Sequence, residues 1–127
     1  MGANPAVAEP TTREPEREIT RGVIALYKDY LGRGPTHAWT VISDEMVTTM
    51  VIGSMTKAEK TLVNNGKAEL VREMRRQMQE TMRSEVRGLI DRVLGKQPVA
   101  FLSDHDAVGD IAAELILFQT RTVQHYG

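Results

Sequence analysis

Apolar residues recur at spacings of three and four across residues 67–94, at Leu70, Val71, Met74, Met78, Met82, Val86, Leu89, Ile90 and Val93. That period predicts one long helix with a single apolar face. At ~1.5 Å per residue it would run about 42 Å. No Gly or Pro breaks it before Gly88, and Gly95 ends it. Upstream, Ile19, Val23, Leu26, Tyr27, Tyr30 and Leu31 form a second helical stripe. Pro15 suits its first turn, and the Gly-Arg-Gly-Pro run at 32–35 stops it.

Between the helices the period changes to two. Residues 38–42 and 46–54 are rich in Val, Ile, Thr and Trp, and Ser43, Asp44 and Glu45 separate them. This is a hairpin signal. Val47, Thr49 and Val51 share one face of its second strand; Met46, Thr48, Met50 and Ile52 share the other. Thr56 with Glu59 matches a capping box, which opens a helix of about two turns ending near Asn64. Residues 97–102 read as a third strand and 111–119 as a fourth. In the fourth, Ile111, Ala113, Leu115 and Leu117 oppose Ala112, Glu114, Ile116 and Phe118. The polar stretch 103–110 between them reads as a loop.

The order is α-β-β-(short α)-long α-β-β. It predicts an α+β two-layer sandwich, with a mostly antiparallel four-stranded sheet covered by helices. A 42 Å helix (the length derived above) overhangs a strand of about 20 Å. A second subunit is the simplest cover for the excess, so a homo-oligomer is expected. The first helix either packs on its own domain or swaps between protomers. Residues 1–13 combine Pro, Ala, Thr and Gly without periodicity and read as a disordered tail, leaving 14–127 as a single domain.

Composition narrows the classes. In 127 residues there is no cysteine, which excludes disulfides and thiolate metal sites. Net charge is −1 and aromatics make up 5%, which argues against nucleic-acid binding. No apolar run spans a bilayer, and no basic start leads into an apolar run as a secretory signal would, so a cytoplasmic location is expected. Charge is uneven, however. Residues 67–96 hold eight bases against five acids, and residues 97–127 hold Arg121 against Asp104, Asp106, Asp110 and Glu114.

Two clusters carry candidate chemistry. Arg72, Arg76, Arg83 and Arg87 line up opposite the long helix's apolar face, a surface for an acidic partner or a second copy. Glu85 breaks the apolar arc and suits an arginine of another copy. Acids at 73, 80 and 91 dilute that face by pairing along the helix. Asp104, His105, Asp106 and Asp110 form the second cluster, with donor atoms for a divalent metal. Its spacing is not that of an EF-hand, and a solvated turn bonding local N–H groups is the plainer reading. Trp39 is an expected core or interface anchor, and Met74, Met78 and Met82 an expected core stripe. With three scattered histidines and no Gly-rich phosphate loop, no catalytic constellation stands out.

Gly34-Pro35, the run from Gly53-Ser54-Met55-Thr56 to Leu62, Glu69-Leu70-Val71-Arg72-Glu73-Met74-Arg75-Arg76, and the run from Gly95-Lys96-Gln97-Pro98 to Asp104 form an ordered series of motifs. Together they resemble the MpsC-like family of small bacterial proteins. Pro98, at the expected start of the third strand, departs from the pattern. The resemblance implies an accessory protein of a sodium-translocating, membrane-potential-generating system, with links to inorganic-carbon uptake. It implies no catalytic residue and no cofactor, and association with a membrane through a transport partner. The alternative is a small-ligand or divalent-metal sensor built on the Asp104–Asp110 stretch.

Overall fold

The computed structural model describes residues 13–118. Three helices, α1 (Glu14–Leu31), α2 (Lys57–Asn64) and α3 (Ala68–Leu94), lie with four strands, β1 (His37–Ile42), β2 (Met46–Ile52), β3 (Ala100–Asp106) and β4 (Ile111–Leu117). The fold is the expected α+β class. The sheet order is β1-β2-β4-β3, and every pair is antiparallel. Residues 1–12, most of the expected tail, and residues 119–127, including the expected end of the fourth strand at 119, lie outside the described residues.

Local chemistry explains the ends. Pro15 sits in the first turn of α1, and Gly32 caps its end at φ +80°, its N–H donating to the Lys28 carbonyl at 2.8 Å. Thr56 and Glu59 close the capping box of α2, and Gly95 ends α3 at φ +66°. The turn of the first hairpin is held by Ser43, whose N–H donates to the Met46 carbonyl at 2.8 Å.

Strand alternation places the core. Val47 and Val51 from β2, Phe101 from β3 and Ala112 and Ile116 from β4 face the helices, followed by Phe118. Against them pack Ile19, Val23 and Tyr27 from α1 and Met82, Val86, Leu89 and Ile90 from α3. Burying each large aliphatic side chain contributes about 1.5–3 kcal/mol. Thr20, Thr40 and Thr49 thread through this layer as a chain of hydroxyl hydrogen bonds of 2.7 and 2.8 Å.

Two expectations fail in detail. The third strand is Ala100–Asp106, not 97–102, so Asp104, His105 and Asp106 belong to a strand and the connecting turn is short. Pro98 lies before that strand, so its missing N–H costs no ladder bond. The apolar stripe of α3 also shifts: Leu70 is 57% and Met74 42% exposed, while Arg75 and Gln79 are buried. The buried line runs Val71, Arg75, Gln79, Met82, Val86 and Leu89. The first turns of α3 do not overhang empty space. There α2 covers them: its Leu62 and Val63 pack with Ala68 and Val71 of α3 and with Met55 and Ala107.

The sheet's other face carries no described helix. Its side chains form transverse rows set by the register: His37, Ile52, Ile111 and Asp106; then Trp39, Met50, Ala113 and Asp104; then Val41, Thr48, Leu115 and Leu102. None of these residues belongs to either core cluster.

Candidate functional site

Polar chemistry inside this domain centres on α3. Arg75 is fully buried, and its guanidinium grips Glu59 through Nε–Oε2 at 2.7 Å and Nη2–Oε1 at 3.0 Å. Its Nη1 donates to the Ser54 hydroxyl at 3.0 Å. Glu59 also accepts the Thr56 N–H at 2.8 Å, so one carboxylate caps α2 and neutralises α3. Burial pushes Glu59 up, but hydrogen bonds from Arg75 and Thr56 and the charge of Arg75 outweigh it, and its carboxyl sits below the ordinary value.

One turn along α3, Gln79 Nε2 donates to Glu114 Oε2 at 3.1 Å and to the Asp104 carbonyl at 3.2 Å. The Tyr27 hydroxyl donates to the same carboxyl oxygen at 2.7 Å. Glu114 is 1% exposed, and burial raises its pKa against the pull of Tyr27, Gln79, Ser103 and Arg83. These groups tie α1, α3 and β4 together. With Arg75, Tyr27, Gln79 and Glu114 all enclosed, this network holds the layers in register.

The four residues of the alternative metal reading part company. In β3 the side chains alternate, so His105 faces inward and is buried while Asp104 and Asp106 are exposed on the other face. Asp104 Oδ1 accepts the His105 N–H at 2.8 Å, and Asp106 Oδ1 accepts the Val108 N–H at 3.2 Å. Asp110 turns to β2's end, accepting the Ser54 and Met55 N–H groups at 3.2 and 3.1 Å. His105 Nε2 lies 3.2 Å from Asp110 Oδ1. Burial first, then the charge of Arg75, lower the His105 pKa against the opposing pull of Asp110. Among the described residues no three His, Asp or Glu side chains gather as a metal site. An open cleft of about 460 Å³ does lie between the start of α3 and the β3–β4 turn, bordered by Glu69, Arg72, Asp104 and His105.

The arginine face is partly spoken for. Arg72 lies 3.5 Å from Glu69, and Arg76 binds both oxygens of Glu73 at 2.7 and 3.2 Å. Arg83 is not on a free surface: it donates to the Phe101 carbonyl at 2.7 Å and lies 4.7 Å over the Phe101 ring. Arg87 is exposed. Glu85 accepts the Tyr30 hydroxyl, which gives it a partner on α1 within the same chain.

Against this geometry, a family model described as "Na+-translocating membrane potential-generating system (MpsC)" matches residues 11–120. The chain belongs to the MpsC family. The match takes in every described element, so the resemblance read from the motifs holds across all of them. No curated protein and no solved structure matches the chain. No helix among the described residues is long and apolar enough to cross a membrane.

Sequence reasoning placed Glu59 in its cap but missed its pairing with Arg75. It also missed Gln79 and the burial of Glu114. The signal for Glu114 was present in β4, where alternation puts it on the face shared by Ala112 and Ile116. The signal for Arg75 was also present: it falls four residues after Val71 and seven before Met82, on the buried line of α3, whereas Arg72 and Arg76 fall beside that line.

Proposed function

We propose that this MpsC-family chain is a non-catalytic accessory subunit of a bacterial sodium-translocating, membrane-potential-generating system. It acts from the cytoplasm, docks on a membrane partner and associates with copies of itself. The observation that carries this reading is the family match over the whole described domain. The site supports it: the strongest polar groups are enclosed and mutually satisfied, so activity falls to the surface.

The exposed arginines of α3, Arg72, Arg76 and Arg87, are the surface assigned to an acidic partner. The test is made in the native cell. Loss of this chain should lower the sodium-dependent membrane potential read with a potential-sensitive dye. Re-expression of the wild type should restore it, and Arg76→Glu/Arg87→Glu should not. A potential unaffected by loss of the chain would overturn the reading.

A further inference from the structure

The sheet face turned away from the helices is large, apolar and uncovered by any described element. Val41 is 48%, Leu102 64% and Ile111 40% exposed on it. Trp39, Met50, Ile52, Leu115 and Leu117 beside them are half-buried. Single exposed apolar residues are ordinary, but a continuous field across four strands marks an interaction surface.

We infer that this face binds the same face of a second copy, about a two-fold axis running parallel to the strands between β2 and β4. The inference takes self-association from the reading above and adds the surface and the symmetry. Its basis is the distribution of chemistry along the rows. Each row begins on β1 with a ring bearing an N–H or an apolar group, and ends on β3 with a carboxylate or an apolar group. His37 opens the row that Asp106 closes, Trp39 the row that Asp104 closes, and Val41 the row that Leu102 closes. The rings of His37 and Trp39 lie 5.2 Å apart, which puts both on one face.

A two-fold axis along the strands reverses each row onto itself. It sets β1 over the second copy's β3, so His37 meets an Asp106 carboxylate, Trp39 an Asp104 carboxylate and Val41 a Leu102 side chain. In the centre, Met50 meets the small Ala113, Thr48 meets Leu115, and Ile52 meets Ile111. Met50 against Ala113 and Leu115 against Thr48 set a large side chain over a smaller one, which suits sheet packing at ~10 Å separation. An axis across the strands would instead stack β3 on β3 and bring four aspartates together at one edge, which like-charge repulsion opposes.

Size is consistent with this. Four strands ~4.8 Å apart and seven residues of ~3.3 Å give a face of about 19 by 23 Å. That is roughly 440 Å² per copy before side-chain relief, which brings a pair close to the ~1,000 Å² that a specific interface needs.

The chain has no cysteine, which makes the symmetry directly readable. The experiment uses the full chain and two single variants, Val41→Cys and Leu102→Cys, with a short bis-maleimide. Light scattering should give a mass of two chains. Cross-linked dimer should form when the two variants are mixed and allowed to exchange, and each variant alone should give at least several-fold less. Leu102→Glu and, separately, Val41→Asp should shift the wild-type dimer toward monomer by at least tenfold in Kd while keeping the helical circular dichroism of the wild type. Two substitutions guard against a local folding defect in one.

Cross-linking of Val41→Cys with itself as strong as in the mixture would overturn the symmetry. A dimer that resists both surface substitutions would overturn the face while leaving self-association standing. A monomer at every concentration would overturn the inference and the self-association it rests on, but not the accessory role, which the potential measurement judges separately.

Discussion

Arg75 and Glu59 form a two-pronged ion pair inside the protein, 2.7 and 3.0 Å long, between a helix of eight residues and one of 27. The pair docks α2 over the start of α3 and closes the gap an isolated long helix would leave. Breaking a buried pair by removing one partner leaves the other charge without compensation, at a cost of about 3–5 kcal/mol. Arg75→Met should therefore cost about that much in urea denaturation. Arg75→Met with Glu59→Gln should cost less, because Gln keeps the cap on Thr56 and leaves no charge behind. If the double variant is no better than the single, Glu59 does not depend on Arg75.

The buried acids give stability a pH dependence of opposite signs. Glu59 lies below its ordinary 4.5, so its contribution is present above that value and lost as pH falls through its folded pKa. Glu114 lies above 4.5, so the fold favours its neutral form. Its contribution is full below 4.5 and is lost as pH rises through the folded value. Glu114→Gln keeps an acceptor for Tyr27 and removes the charge. Between about pH 5 and about pH 8 it should lose less stability than the wild type. Equal slopes in urea midpoints across that range would show that Glu114 is already ionised without cost.

The elements were legible where periodicity and punctuation agree. Both long helices, the capping box and the first hairpin follow from local rules, and Gly32 and Gly95 mark their ends as read. The third strand was not, because Ser103, Asp104 and Asp106 are turn formers. They are held extended by seven-residue pairing with β4, whose register no local rule states. The same displacement separates the residues of the alternative, metal-binding reading: those that a loop would gather, a strand sends to opposite faces. Arg83 was misjudged for a related reason. Its place on the exposed helix face is correct in angle, but β3 comes close enough for it to reach the Phe101 carbonyl.

Gly53 leaves β2 at φ +71°, where side chains are strained. A Cβ built there would lie 2.2 Å from the Thr36 hydroxyl, which itself donates to the Ile52 carbonyl at 3.1 Å. Gly53→Ala should lower stability by about 1–3 kcal/mol. Thr36→Ala added to it should recover only part, since relief of the clash leaves the backbone strain. Full recovery in thermal melts would assign the whole cost to the clash.

Asp110 and its neighbours separate a structural turn from a metal site. Asp110 binds two backbone N–H groups and faces His105, and it holds φ +55°, which Asp and Asn tolerate and Ala resists. Asp104 and Asp106 are exposed and bond only local N–H groups. Asp110→Ala should therefore cost about 2–3 kcal/mol in urea denaturation, while Asp104→Ala and Asp106→Ala should each cost under about 1 kcal/mol. The ranking should be the same with chelator present as with millimolar calcium, magnesium or zinc, because Asp110 is held by two backbone N–H groups and His105. A metal site would reverse this. The wild type would then gain stability with one cation, and all three aspartate variants would lose that gain together.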